Sequence, residues 1–177
     1  KHADVVRHGS WEAFRQGLRD HGYVEGQSIL VEWRGAEGRT DRAKALAEEL
    51  VRLKVDVIVA TFTPAVQAAK NATSTIPIVM AYAGDPVATG FVASLARPGG
   101  NITGLSANAV ELSGKRIEVL RELSPGLSRV GVLINGADPF AKPFVDENQT
   151  AARRAGLQLH IVDVRRPEEF EAAFSAM

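Results

Sequence analysis

The sequence predicts an α/β fold built on parallel sheets, and two features of the chain support this prediction. Short apolar segments rich in β-branched residues alternate with longer amphipathic segments along the 177 residues. The connections between them are short and carry Gly, Pro and Asn. This alternation is typical of parallel sheets covered by helices, which bind ligands at the carboxyl ends of their strands.

The N-terminal part predicts two helices with a strand between them. A first helix follows Ser10, whose side chain is a suitable cap, and ends before Gly22. The alternating segment 28–33 predicts a strand. A second helix begins at Thr40 and runs to Leu53, with a stripe of alanine and leucine side chains facing the core.

The next segments predict a strand, a polar loop, a helix and a second strand. Segment 55–60 is nearly continuous in apolar residues, which suits a parallel strand buried on both faces. Thr63 is a suitable cap for the helix over 66–72, and Pro64 suits its first position. The N–H groups of that first turn would face the carboxyl end of the sheet and favour an anion, although a Thr-Pro pair can also act as a cap alone. A strand follows at 76–82.

Two other polar residues follow predicted strands. Asp85 comes after strand 76–82 and precedes Pro86, so its carboxylate is placed to bind an ammonium group or to cap a short helix over 87–96. Asn135 ends the strand predicted at 129–135. It is placed either to bind a ligand or to form an Asn-Gly turn.

The rest of the chain continues the pattern and predicts a domain crossing after the turn cluster 97–101. The remaining predicted elements are strand 102–106, helix 112–123, helix 143–155, strand 157–164 and helix 167–176. Because two strands are too few for an independent sheet, we expect an incomplete second domain. We also expect a strand to precede the first helix.

Composition argues against several classes of function. The chain has 21 basic and 21 acidic residues, so no net charge favours nucleic acid or an anionic membrane. No apolar run is long enough to span a membrane. The chain has no cysteine, and its four histidines lack metal-ligand spacing, so neither a thiol nucleophile nor a metal site is expected. No acid, base and nucleophile set is visible, so the sequence predicts neither an enzyme nor a cofactor.

Several segments together resemble one known family. The most specific is SLARPGGNITG at 94–104. Five others agree with it, namely 14–18, 22–26, 56–60, 76–79 and 84–87, and further agreement comes from 114–116, Leu120 and 124–126. The chain resembles the ABC-transporter substrate-binding proteins, whose better-understood members bind tryptophan and related aromatic amino acids.

The resemblance implies a periplasmic-binding-protein-like fold, with two doubly wound parallel-sheet lobes joined by a hinge that close on a small ligand. Residues 1–103 would form the N-terminal lobe without its first strand, and residues 104–177 the hinge crossing and an incomplete second lobe. The implied protein is a monomeric, extracytoplasmic receptor, periplasmic or lipid-anchored. It would deliver its ligand to the membrane permease of an ABC importer and that permease's ATPase, and would bind neither nucleic acid nor a metal.

The resemblance also implies a set of ligand-binding residues. These are Thr61, Phe62, Thr63, Pro64, Asp85, Thr103 and Asn135. A carboxylate at Thr63 and an ammonium group near Asp85 would describe an amino acid, which we prefer to a sugar. Phe62 stands where the family often has a small residue, so it either stacks on the ligand or narrows the pocket. The alternatives are a sugar receptor and the effector-sensing lobe of a regulator, although the basic helix-turn-helix of a regulator is not visible.

Overall fold

The computed structural model describes residues 9–107 and 109–177, with side chains from residue 11 onward in the first helix. The predicted cap at Ser10 therefore lies outside the described side chains. The chain divides into a smaller N-terminal unit that ends at Arg39 and a larger unit from Thr40 to Met177.

The smaller unit contains helix α1 (Gly9–Asp20) and a following segment without regular structure. The ring of Trp11 meets that of Trp33 edge to face, with 4.7 Å between the centroids, and lies 5.4 Å from that of Phe14. These aromatic contacts hold the segment 21–39 against α1.

The strand predicted over 28–33 is wrong, because this segment forms only an isolated parallel bridge between Glu25 and Ile29. Its first residues are used in a turn, in which the carbonyl of Val24 accepts the N–H groups of Ser28 and Ile29. An alternating pattern shows that the two faces of a segment differ, but a strand also needs a neighbour for its backbone hydrogen bonds.

The larger unit confirms the predicted alternation of strands and helices. Its strands within residues 40–107 and 109–177 are β1 (Ile58–Thr61), β2 (Ile78–Ala83), β3 (Ile102–Ser106), β4 (Arg129–Ile134) and β5 (Gln158–Asp163). Its α-helices in the same ranges are α2 (Ala43–Arg52), α3 (Thr63–Ala72), α4 (Ser113–Leu123), α5 (Ala141–Arg154) and α6 (Phe170–Ser175). Short 3₁₀ turns at Thr40–Arg42 and Pro167–Glu169 precede α2 and α6.

The short helix predicted over 87–96 is wrong, since the segment forms turns. Gly90 has φ +71°, which an α-helix does not allow. The next two residues, Phe91 and Val92, are buried, and both donate their N–H groups to the carbonyl of Pro86. Burial of these two side chains thus accounts for the irregular backbone.

The first sheet has the strand order β1-β2-β3 and is parallel throughout. Ile58, Ile78 and Ile102 lie opposite one another in register and are all buried. The core on this face is completed by α3 and the segment around Phe91; its buried members are Ile58, Ala60, Val66, Ala69, Ile78, Met80, Ala83, Phe91, Val92 and Ile102.

A close backbone approach joins β2 to β3 at Gly104, which lies opposite Met80. Gly104 has φ +135°, and a Cβ at this position would lie closer than 3.0 Å to backbone atoms of Met80. The position therefore requires glycine. Since β3 continues to Ser106, the predicted domain boundary after residue 103 falls inside a strand, and the two-lobe division remains a prediction.

The second sheet pairs β4 with β5, also in parallel. Its core lies against α4 and α5 and consists of the buried side chains Ile117, Ala151, Ala152 and Leu157. Ser113 and Asn148 tie these helices together, because the amide of Asn148 donates to the Ser113 hydroxyl at 3.0 Å and both side chains are buried. In residues 9–107 and 109–177, no helix combines the length and the apolar character needed to cross a membrane.

Candidate functional site

The carboxyl ends of the strands of the first sheet lie side by side, and we call this boundary the carboxyl edge. Thr61 at the end of β1 lies opposite Tyr82, and Ala83 at the end of β2 lies opposite Ser106. The backbone continues this contact past the sheet, since Ala107 donates its N–H to the carbonyl of Ala83. The segments that follow β1 and β2 carry most of the predicted binding residues.

Phe62 connects β1 to α3 in a backbone conformation that is rare for its residue type, with φ 68° and ψ 152°. Its N–H donates to the carbonyl of Tyr82 at 2.7 Å, and its own carbonyl accepts the N–H groups of Ala65 and Val66. Phe62 is therefore the N-cap residue of α3. The predicted cap at Thr63 is wrong by one position, because Thr63 is already the first helical residue.

Thr63 connects two loops of the carboxyl edge. Its side chain is buried, and its hydroxyl accepts the N–H of Gly84 at 3.2 Å. The first turn of α3 is less open to an anion than the sequence predicts: Pro64 has no N–H, and that of Ala65 is bonded to Phe62. These bonds leave the N–H of Thr63 as the donor that this turn can offer to a carboxylate.

Asp85 begins the turn after β2 and is half-buried. Its Oδ1 accepts the N–H groups of Val87 and Ala88 at 3.0 and 2.9 Å. The carboxylate therefore caps this turn, as one of the two sequence interpretations predicts. Both of these bonds end on Oδ1, so Oδ2 takes no part in the capping.

The loop 135–140, which follows β4, reaches the carboxyl edge through Phe140. A Cβ placed on Gly84 would lie 2.5 Å from the ring of Phe140, so this ring packs directly against the backbone of Gly84. The N–H of Phe140 donates to Oδ1 of Asp138 at 2.8 Å. Burial raises the pKa of the Asp138 carboxyl, although this hydrogen bond opposes the shift.

Asn135 opens the same loop, and its side-chain oxygen accepts the N–H of Ala137 at 3.0 Å. This is the turn geometry that the Asn-Gly pair predicts. The loop is anchored from β5, since Gly136 donates its N–H to Oδ1 of Asp163 at 2.7 Å. Oδ2 of Asp163 is paired in turn with Arg165 at 2.8 Å.

Thr103 is not brought to the carboxyl edge. It lies opposite Val79 near the start of β3, three residues before Ser106. At about 3.3 Å per residue, this places it roughly 10 Å from the strand end. Ser106 takes the position at the edge, opposite Ala83.

Sequence reasoning missed several residues at this site, which are Tyr82, Gly84, Ser106, Phe140 and Asp163. Ser106 and Asp163 stand at the ends of predicted strands, so the rule that selected Asp85 and Asn135 applies to them as well. The contact of Phe140 with Gly84 carries no local signal, because it joins segments that are distant in the chain. Within residues 9–107 and 109–177, no cluster of three or more histidine or acidic side chains is suited to a metal ion.

The anchor at Asp163 predicts a specific dependence of stability on pH. The hydrogen bond from Arg165, followed by that from Gly136, lowers the pKa of the Asp163 carboxyl. A carboxylate whose folded pKa is depressed stabilises the protein above its unfolded pKa, and this stabilisation is lost as the pH falls through the folded pKa. We expect Asp163→Asn to lose less stability than the wild type between about pH 4 and pH 2.

Urea unfolding at a series of pH values measures this difference. Asp56→Asn is the matched control, because it removes one exposed carboxylate that precedes β1. Equal slopes for wild type and Asp163→Asn would contradict the prediction.

Comparison with known proteins decides the family. The sequence matches the family described as ABC transporter substrate binding protein over residues 4–177. The chain belongs to this family. This ABC transporter substrate binding protein is 31% identical, over 179 residues, to the "Tyrosine-binding protein" of Clostridioides difficile (strain R20291). The aligned region covers 99% of this chain and 51% of the relative.

Two solved structures are also similar to this ABC transporter substrate binding protein. One is a conserved domain protein from Vibrio cholerae O1 biovar eltor, with 30% identity and a TM-score of 0.84 over 97% of this chain and 58% of that chain. The other is the ABC domain in complex with L-Trp from Streptococcus pneumoniae, with 28% identity and a TM-score of 0.80 over 97% and 59%. The periplasmic-binding-protein-like α/β fold is thereby confirmed, and the chain spans about half the length of the curated relative.

Proposed function

We propose that this chain is part of an extracytoplasmic solute receptor of an ABC importer and that it binds an aromatic amino acid at the carboxyl edge of the first sheet. The observation that carries the proposal is family membership, together with one relative named as a tyrosine-binding protein and one solved in complex with L-Trp. The geometry supports it, because Thr63 and Asp85 lie at the same sheet edge and flank Gly84.

In this proposal the amino acid binds through its charged ends. The N–H of Thr63, at the positive end of α3, donates a hydrogen bond to the ligand carboxylate. Oδ2 of Asp85 pairs with the ligand ammonium group, while Oδ1 keeps its two backbone bonds. Phe62 and Asn135 contact the remainder of the ligand. The roles of Thr61, Pro64 and Thr103 remain predictions.

The proposed transport cycle is the one implied by the family resemblance. The ligand binds between the two sheets, the lobes close about a hinge, and the closed receptor, a monomer in the periplasm or on a lipid anchor, meets the permease. The partner ATPase supplies the energy for import. The receptor itself needs no cofactor and performs no chemistry.

Thermal unfolding of the full-length protein with candidate ligands tests the proposal. A ligand at a hundred times its Kd adds about 2.7 kcal/mol to stability, so a rise in Tm with L-Trp or L-Tyr is expected and is readily detected. L-Leu and glucose provide the comparison. A rise with glucose alone would support a receptor but contradict the amino acid site, and no rise with any of them would contradict both.

The charge of Asp85 can be tested apart from its capping role. Asp85→Asn keeps an oxygen for the N–H groups of Val87 and Ala88 but removes the charge. We expect it to weaken L-Tyr binding at least about tenfold, or about 1.4 kcal/mol, because a charge-assisted hydrogen bond is lost.

Isothermal titration calorimetry measures the effect, with two controls. Asp56→Asn should leave L-Tyr binding unchanged. The compound 3-(4-hydroxyphenyl)propanoate, which lacks the ammonium group, should bind wild type and Asp85→Asn equally. If Asp85→Asn bound L-Tyr as tightly as the wild type, the ammonium site would lie elsewhere.

A further inference from the structure

Two large aromatic side chains at the carboxyl edge are exposed and in contact with each other. Phe62 is 62% exposed and Tyr82 is 51% exposed. Their rings meet edge to face, with 5.8 Å between centroids and 78° between planes. Neither ring gains much burial from this position, so hydrophobic stabilisation of the fold does not explain the pair.

The backbone of Phe62 adds an independent observation. Its combination of φ 68° and ψ 152° lies in a region that is essentially restricted to glycine, so placing phenylalanine there costs free energy. The other described non-glycine residues with positive φ, Glu37 and Lys54, have the milder value of 54°. A glycine at position 62 would adopt this backbone conformation at a lower conformational free energy than phenylalanine does.

The surrounding hydrogen bonds hold this conformation in place. The N–H of Phe62 is bonded to the carbonyl of Tyr82 at 2.7 Å, and its carbonyl accepts the first helical N–H groups of α3. The ring of Phe62 is therefore presented at a fixed place, beside Thr63 and next to the strand that carries Tyr82. Strained residues that present an exposed side chain in this way are concentrated at binding sites.

We propose that Phe62 and Tyr82 form the specificity surface of the site, on which the planar side chain of an aromatic amino acid packs. The inference rests on the proposed function, because the N–H of Thr63 and the carboxylate of Asp85 place the ligand beside this pair. Phe62 offers the face or edge of its ring to the ligand ring, and Tyr82 fixes the Phe62 ring through the edge-to-face contact. Aliphatic side chains of similar size lack this interaction, so the pair favours L-Tyr and L-Trp over L-Leu.

Opposite effects on stability and binding distinguish this role from a structural one. We expect Phe62→Gly to raise the Tm of the ligand-free protein, since the strain is relieved. The same variant should bind L-Tyr at least about tenfold more weakly and lose most of the preference for L-Tyr over L-Leu. A fall in Tm that parallels the fall in affinity would overturn the inference, because it would show that the ring supports the fold.

Two further variants complete the test on the full-length protein. Phe62→Leu keeps the backbone strain and an apolar side chain but removes the ring, and Tyr82→Leu removes its partner. Both should lower the ratio of L-Tyr to L-Leu affinity, measured by calorimetry, at least about fivefold. Leu105→Ala is the control, since Leu105 is 66% exposed on β3 and should leave the ratio unchanged.

The outcomes separate the two proposals. If wild type binds L-Tyr and both leucine variants keep its preference over L-Leu, the specificity surface is wrong while the receptor function stands. If wild type binds none of L-Tyr, L-Trp and L-Leu, the proposed function fails, and the specificity surface fails with it.

Discussion

Replacing Gly104 by alanine is expected to lower the free energy of unfolding by roughly 3 to 5 kcal/mol, because the new side chain meets backbone on the central strand. The added Cβ would lie closer than 3.0 Å to the carbonyl oxygen, nitrogen and carbonyl carbon of Met80. None of these atoms can rotate away. The φ of +135° adds strain for any residue with a Cβ, so β2 and β3 must separate to admit the methyl group.

Urea unfolding followed by far-ultraviolet circular dichroism measures this loss. The matched control is Gly114→Ala in α4, where an added Cβ has nothing within 4 Å. Alanine in a helix is favoured over glycine, so the control should be neutral or stabilised by up to about 1 kcal/mol. A Gly104→Ala variant as stable as this control would mean that β3 does not pair with Met80 as described.

Replacing Ile78 by alanine is expected to cost about 3 to 5 kcal/mol of unfolding free energy. Ile78 lies in the central strand with a solvent exposure of 0%, and its partners in register are Ile58 and Ile102. Removing its side chain leaves a cavity between rigid strands and α3. Because neighbours on both sides belong to the same parallel ladder, the cavity cannot readily close.

The control for Ile78 is Val59→Ala in the adjacent strand. Val59 points to the opposite face of the sheet and is 43% exposed, so its truncation should cost less than about 1 kcal/mol. The difference between the two variants, measured by urea unfolding, reports which face of the first sheet is the core. Equal losses would contradict this one-sided core, in which β1 is not buried on both faces as its sequence predicts.

Local sequence patterns predict most of the elements. The strands at 76–82 and 102–106 and the helix at 112–123 appear within a few residues of β2, β3 and α4. These segments combine a clear period of two or 3.6 residues with turn residues at their ends, and both signals act over a few neighbours. The segments that reveal the family, above all 94–104, are also contiguous in the chain.

Two local patterns gave wrong predictions because the structure of these segments depends on contacts with distant residues. Segment 28–33 alternates as a strand does, but within residues 9–39 it takes part in only a single bridge, between Glu25 and Ile29. Segment 87–96 has the composition of a helix, yet burial of Phe91 and Val92 in the core of the first sheet outweighs helical hydrogen bonding. Propensity is a small term compared with the burial of two large side chains.

The fold class, the family, the polar residues that end strands and the order of the elements apart from segments 28–33 and 87–96 could all be predicted from the sequence. Which of these polar residues contact one another is visible only in the folded structure. Thr63 bonds Gly84 across 21 positions and Gly136 bonds Asp163 across 27, while Thr103 lies away from both contacts. Such contacts depend on the register of the sheets and on the packing of helices against them, and both are set by burial summed over the whole core, which no local pattern contains.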